Sequence, residues 1–229
     1  MTEPDILASN PKLTASSVGL LYPDAPHKLF EGLSFELRAG ELLAITGGNS
    51  CGKSSLINCL CGIIPKSITA TLEGRVTLNG ISLEEIPLCE VYRHISVILA
   101  NAGDQLLMPT VELELAFALE NMGLASSEIR LRVERAAARF GLESLLQASP
   151  RKLSGGEQRK LLFAICECME TPILMLDEPE TGLSGKALDL LCDWLNELRE
   201  DGRGIIIASH NPRLISVADT TIALDKHRV

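Results

Sequence analysis

The sequence predicts an α/β fold: a parallel sheet covered by helices, an antiparallel β part ahead of it, and an α-helical segment inserted within it. Three observations carry this. Residues 173–176 and 204–208 are short apolar runs flanking a segment in which Ala187, Leu190, Leu191, Trp194, Leu195 and Leu198 recur at helical spacing. Strand, helix, strand in that order makes parallel strands with a covering helix. Before residue 100, the segments 34–37 and 75–78 alternate polar with apolar, and Asn79-Gly80 closes the second with a hairpin turn. From Thr110 to Met169 the pattern turns helical, over 111–117, then 127–140, rich in Arg, Glu and Ala, then 154–169. We therefore expect one domain over 1–229, with a core at about 1–100 and 170–229 and a helical subdomain at about 101–169.

Composition narrows the classes. Hydrophobic residues make up 46% of the 229, ample for a packed interior. The longest uncharged stretches, 13–23 and 54–65, fall short of the roughly 18 apolar residues that a spanning helix needs. Residues 1–5 are acidic and lack the basic and apolar regions of a secretory leader, so a cytosolic location is expected. Seven cysteines, at 51, 59, 61, 89, 166, 168 and 192, sit mostly in apolar runs without CxxC spacing, so small buried hydrophobes are expected rather than a zinc site or disulfides. A net charge of -9 opposes sequence-independent nucleic-acid binding, so any phosphate must be held locally.

Such a local site is legible. Gly47-Gly48-Asn49-Ser50-Cys51-Gly52-Lys53-Ser54 fits GxxxxGKS, follows the apolar strand 42–45 and opens the helical run 55–61 that starts at Ser55. Triphosphate needs backbone N–H groups converging on its oxygens, and glycines permit the close approach. Lys53 is then the cation for the β and γ phosphates, and Ser54 supplies a hydroxyl to Mg2+. The alternative is a glycine-rich turn that happens to precede a helix.

Further along the chain, the apolar strand 173–176 ends in Asp177-Glu178. Carboxyl ends of parallel strands face the ligand crevice, which suits Asp177 for the Mg2+ shell and Glu178 for the water that attacks the γ-phosphate. Acids also begin loops for solubility alone, and only the pairing with the phosphate loop gives these two weight. His210, in Ser209-His210-Asn211 after strand 204–208, stands at the same edge and could donate to the γ-phosphate; a lone loop histidine is otherwise a surface residue.

Leu153-Ser154-Gly155-Gly156-Glu157-Gln158 opens the last helix of the insertion. Here the sequence resembles the ATP-binding cassette family, whose signature is LSGGEQ. Physically the segment is a second anion nest, with Ser154 capping the helix and two glycines baring its N–H groups. The resemblance implies an Mg2+-dependent ATPase in which Ser154, Gly155, Gly156 and Glu157 complete the site of a second cassette subunit, in a homodimer or heterodimer. It further implies attachment to integral membrane transporter subunits on the cytoplasmic face, and a role for Tyr22 stacking on adenine, although a core or surface tyrosine accounts for it nearly as well. Residues 103–106 and 109–117, with 61–65, look like the energy-coupling-factor and cobalt-type importer ATPases.

Two positions depart from the family. Where it has a glutamine at the end of the strand leading into the insertion, this chain has Ala100, and where its loop after the carboxylates ends in aspartate, this chain has Ser184. Three functions are therefore in play: the ATP-hydrolysing subunit of a transporter, a weakly hydrolysing regulatory half of a heterodimer, and a non-transport cassette, which would ordinarily bring a basic face or a second cassette.

Overall fold

Successive side chains of a strand face opposite ways, and in the central strands both sets are apolar. Leu42, Ala44, Leu174, Leu176, Ile205 and Ile207 join one buried cluster, whereas Leu43, Ile45, Ile173, Met175, Ile206 and Ala208 join another. Strands buried on both faces need a covering layer on each side. The computed structural model, which describes residues 11–227, supplies both layers. The reading of residues 1–5 lies outside that span.

The strands are β1 (Leu13–Leu21), β2 (Phe30–Leu37), β3 (Leu42–Thr46), β4 (Thr71–Leu78), β5 (Ile81–Ser82), β6 (Ile95–Ile98), β7 (Ile173–Asp177), β8 (Gly204–Ala208) and β9 (Thr220–Ala223). The helices are α1 (Lys53–Leu60), α2 (Ile63–Lys66), α3 (Leu88–Val91), α4 (Val111–Asn121), α5 (Ser126–Phe140), α6 (Gly155–Met169), α7 (Lys186–Glu200) and α8 (Pro212–Ser216). The order β6-β7-β8-β3-β9 forms a parallel sheet, and β2-β1-β4-β5 an antiparallel one. The antiparallel sheet and α1 cover one face of the parallel sheet, and α4 to α7 the other.

Most expected elements stand where the pattern put them. Asn79 and Gly80 both take positive φ, 50° and 84°, as the two-residue turn between β4 and β5 requires. On α7 the buried stripe is Leu188, Leu191, Trp194, Leu195 and Leu198, so Ala187 and Leu190, expected inside, are only half-buried. The helix is rotated to seat Trp194 edge-on against Phe140 of α5, with centroids 5.5 Å apart and its Nε1–H donated to Glu167. Five cysteines are buried as expected, Cys192 is half-buried, and Cys89 is exposed on α3, against the expectation of burial. Burial pushes the Cys59, Cys166 and Cys168 thiols up to about 12, and the Cys61 thiol up to about 11, which leaves them inert as nucleophiles.

Candidate nucleotide site

Register sets the site. Ala208 of β8 lies level with Ile45 of β3 on one side and Asp177 of β7 on the other. The turns that leave these three neighbouring strands therefore emerge together at one sheet edge, at their carboxyl ends.

From β3 the chain runs through Gly47 at φ 153° and Gly52 at φ 104° into α1. A Cβ on Gly47 would stand 2.5 Å from Cys51 Sγ, and one on Gly52 2.8 Å from Leu29, so neither position admits a side chain. Ser50 turns left-handed without being glycine, at φ 59°. Cys51 is buried behind the loop and offers it only backbone, whereas Gly48, Asn49 and Ser50 are exposed. The N-terminus of α1 has no side-chain cap and no acid in its first turn, so its orphan N–H groups and positive dipole end are open to an anion. Lys53 is only 5% exposed, and its ammonium donates to Gly47 O at 3.0 Å and Gly48 O at 3.1 Å. Leu29, Ser50, Gly52, Lys53, Ser54, Ser55 and Glu178 line a hollow of about 190 Å³ over this loop. Tyr22, half-exposed, donates its hydroxyl to Ser55 Oγ at 3.0 Å and so stands beside the loop, although it does not line the hollow.

Asp177 is 1% exposed, and burial lifts its carboxyl above the ordinary range against the opposing pull of the Ser54 hydroxyl. Its Oδ1 is buried without a hydrogen-bond partner. An orphaned carboxylate oxygen beside a serine hydroxyl is a hard, all-oxygen donor set of the kind that suits Mg2+, which takes one or two protein oxygens plus substrate phosphates. Among the described residues no group of three or more His, Cys, Asp or Glu side chains is placed to hold a metal ion. Glu178 follows in a left-handed backbone at φ 46°, strained for a non-glycine residue, and its side chain faces the hollow.

His210 follows β8 at the same sheet edge; its side chain is 65% exposed and does not line the hollow, and its Nδ1 lies 3.8 Å from Glu180 Oε1. The nest also lies apart from the hollow. Ser154 and Glu157 form a capping box, in which Glu157 Oε2 accepts from Ser154 N at 2.8 Å and from Ser154 Oγ at 2.6 Å, and these bonds hold the Glu157 carboxyl below its usual range. Gly155 and Gly156 bare the first turn of α6, and a Cβ on Gly156 would meet only Gly182 O, at 3.4 Å.

Arg159 and Asp225 are not anticipated from sequence, and Gln105 enters there only within the 103–106 stretch and as a candidate stand-in for the glutamine missing at Ala100. Arg159, 2% exposed, donates to Leu99 O at 3.2 Å and Ala100 O at 2.8 Å, tying α6 to the end of β6. A lone arginine inside the apolar face of α6 was the available signal. Asp225 accepts from Gly48 N at 3.0 Å, and Gln105 pairs with β6 by accepting from Leu99 N at 2.8 Å and donating to Val97 O at 3.0 Å.

Comparison with known proteins follows the same lines. The family described as ABC transporter matches residues 30–181. The energy-coupling factor transporter ATP-binding protein EcfA of Methanoculleus marisnigri is 32% identical over 211 residues, covering 91% of this chain and 74% of its own. A Treponema denticola relative, provisionally named an ABC transporter ATP-binding protein, is 28% identical over 214 residues; the match covers 93% of this chain and 44% of the relative's length. Among solved structures, cbiO1 from Clostridium perfringens, part of the ABC transporter complex cbiONQ, superposes with a TM-score of 0.77 at 27% identity, over 92% of this chain and 83% of its own. With its phosphate loop, buried acid and capped glycine nest on this framework, the chain belongs to the ABC transporter family, as one of its ATPase cassettes.

Proposed function

We propose that this chain binds and hydrolyses ATP to drive an energy-coupling-factor type importer of a vitamin or metal ion, as one half of a cassette dimer held on the cytoplasmic face of the membrane by integral partner chains. The observation that carries the reading is the unpartnered Asp177 Oδ1, buried beside Ser54, with Glu178 facing the same hollow. In this reading the loop N–H groups from Gly48 to Ser55 cradle the phosphates and Lys53 leaves the Gly47 and Gly48 carbonyls for the β and γ oxygens. Ser54 and Asp177 hold Mg2+, which when bound neutralises charge on the β and γ phosphates. Glu178 accepts a proton from the attacking water, His210 donates to the γ-phosphate, and Tyr22 stacks on the base. The nest from Ser154 to Glu157 serves the partner cassette, and its separation from the chain's own hollow supports this.

Residues 101–169 act as a helical subdomain, and the membrane partner docks in the cleft between it and the core. A groove of about 270 Å³ supports the assignment, lined by β6, α4 and α6 and flanked by the exposed Leu107 and Phe117. Among the described residues no helix is long and apolar enough to cross a membrane. The acidity of the chain weighs against nucleic acid as partner. A second reading, a weakly hydrolysing half, draws on Gln105, whose amide is committed to β6 and does not replace the glutamine missing at Ala100.

The test is purification from detergent-solubilised native membranes with ATP turnover assayed on the complex. Co-purifying membrane chains are expected, with turnover that falls when Glu178 or Ser154 is replaced; turnover indifferent to both, or the absence of any membrane partner, overturns the reading.

A further inference from the structure

Glu180 has no task in the hydrolytic scheme above. It lies two residues beyond Glu178 and is 8% exposed. One oxygen, Oε1, accepts from Ser209 Oγ at 2.5 Å, while Oε2 is sealed from solvent without a partner. A buried carboxylate with an idle acceptor is unfavourable unless another arrangement of the molecule fills it. Ser209 is fully buried, its Oγ also accepts from Asn211 N at 2.9 Å, and its own N–H donates to Ile45 O at 3.1 Å. Glu180 thus fixes the 209–211 turn, which is rooted in the strand leading to the phosphate loop. The middle residue of that turn is His210, whose exposed ring has Nδ1 3.8 Å from Glu180 Oε1. That is too long for a hydrogen bond, yet a change of ring torsion closes such a gap while the backbone stays fixed.

We infer that Glu180 is a positioning residue for His210: when nucleotide binds, the ring turns in, Nδ1–H donates to Glu180, and Nε2–H is presented to the terminal phosphate. This rests on the ATP site proposed above. A carboxylate on one side and a phosphate on the other are acceptors for the two ring N–H groups, so the ring donates at each end. The same carboxylate then anchors the turn through Ser209 and orients the ring through Nδ1.

The test is a double-mutant cycle on the full chain, assembled with its partner cassette, comparing Glu180→Ala and His210→Ala singly and together. With the partner cassette's own hydrolytic site inactivated, so that turnover reports this chain's site, Glu180→Ala is expected to lower kcat about tenfold with KM unchanged, and to add nothing in the His210→Ala background. Glu180→Gln, which retains an acceptor for both Ser209 and Nδ1, should recover much of the loss. Equal losses in both backgrounds would mean that Glu180 only supports the fold, and would overturn the inference. As a second readout, the 15N signals of His210 are recorded with Mg2+ and a non-hydrolysable ATP analogue. Protonation at both nitrogens is expected in the wild type, with loss of one proton in Glu180→Ala; identical signals sink the positioning role while leaving the ATP site standing. Failure of the chain to bind the analogue sinks the ATP site, and the inference with it.

Discussion

Lys53 is a nearly buried ammonium whose only hydrogen bonds are to two loop carbonyls, with no carboxylate in ion-pair range among the described residues. Carbonyl dipoles solvate the charge without neutralising it, and a phosphate would do both. Lys53→Ala is accordingly expected to weaken Mg2+-ATP binding by about a hundredfold or more, read by calorimetry. Unchanged affinity would mean that the loop holds no triphosphate. Glu178 makes the opposite kind of prediction. It sits in strained backbone at the rim of the hollow and is asked to act only after ATP is seated, so Glu178→Gln should leave affinity intact, slow turnover and trap a closed dimer. A variant that binds ATP yet neither stalls nor dimerises would remove Glu178 from the role of water activator.

At the scale of elements, α6 carries two tests. Its capping box ties Ser154 to Glu157, whose carboxyl is held below its usual range by those bonds. A depressed carboxyl stabilises the fold above its ordinary pKa, and the stabilisation is lost as pH falls through the lowered value. Ser154→Ala should therefore lower Tm at neutral pH, with the gap to wild type closing in acid; a gap that persists unchanged would detach the effect from the box. Further along, Arg159→Met keeps most of the stem but leaves the Leu99 and Ala100 carbonyls unpaired, an expected loss of about 1–3 kcal/mol and a Tm drop of several degrees. How much of this the sequence carried depended on range. The strand over 204–208, the Asn79-Gly80 turn and the Ser154 cap follow from local spacing and residue chemistry, and the structure has them. The bonds of Arg159 to Leu99, of Asp225 to Gly48 and of Glu180 to Ser209 join residues 60, 177 and 29 positions apart, and depend on a strand order no periodicity encodes. His210 follows β8 to the sheet edge that the strand before it implies, but nothing in the local sequence places its Nδ1 3.8 Å from Glu180 Oε1.

Across the whole molecule, the two departures at Ala100 and Ser184 bear on one question, whether this chain turns ATP over unaided. Asn101 or Gln105 could in principle replace the missing glutamine by a small shift of the loop. Gln105 spends both ends of its amide on the β6 backbone, so moving it toward the nucleotide would strip Leu99 N and Val97 O of their partners. Asn101 is exposed at the start of the following turn and caps nothing. Ala100 itself offers only a carbonyl, already taken by Arg159, and Ser184 is exposed without a carboxylate to lend across a dimer. The nest at Ser154, by contrast, is fully formed and open. The chain is therefore expected to work in an asymmetric pair, its own site slow and its nest completing a stronger site in a different cassette. Alone it should bind ATP and hydrolyse it slowly; with its partner, disrupting Ser154 here should lower turnover more than Glu178→Gln here. Steady-state turnover of the isolated chain and of the reconstituted pair decides the matter, and brisk hydrolysis by the isolated chain, indifferent to Ala100→Gln, would establish a self-sufficient homodimer instead.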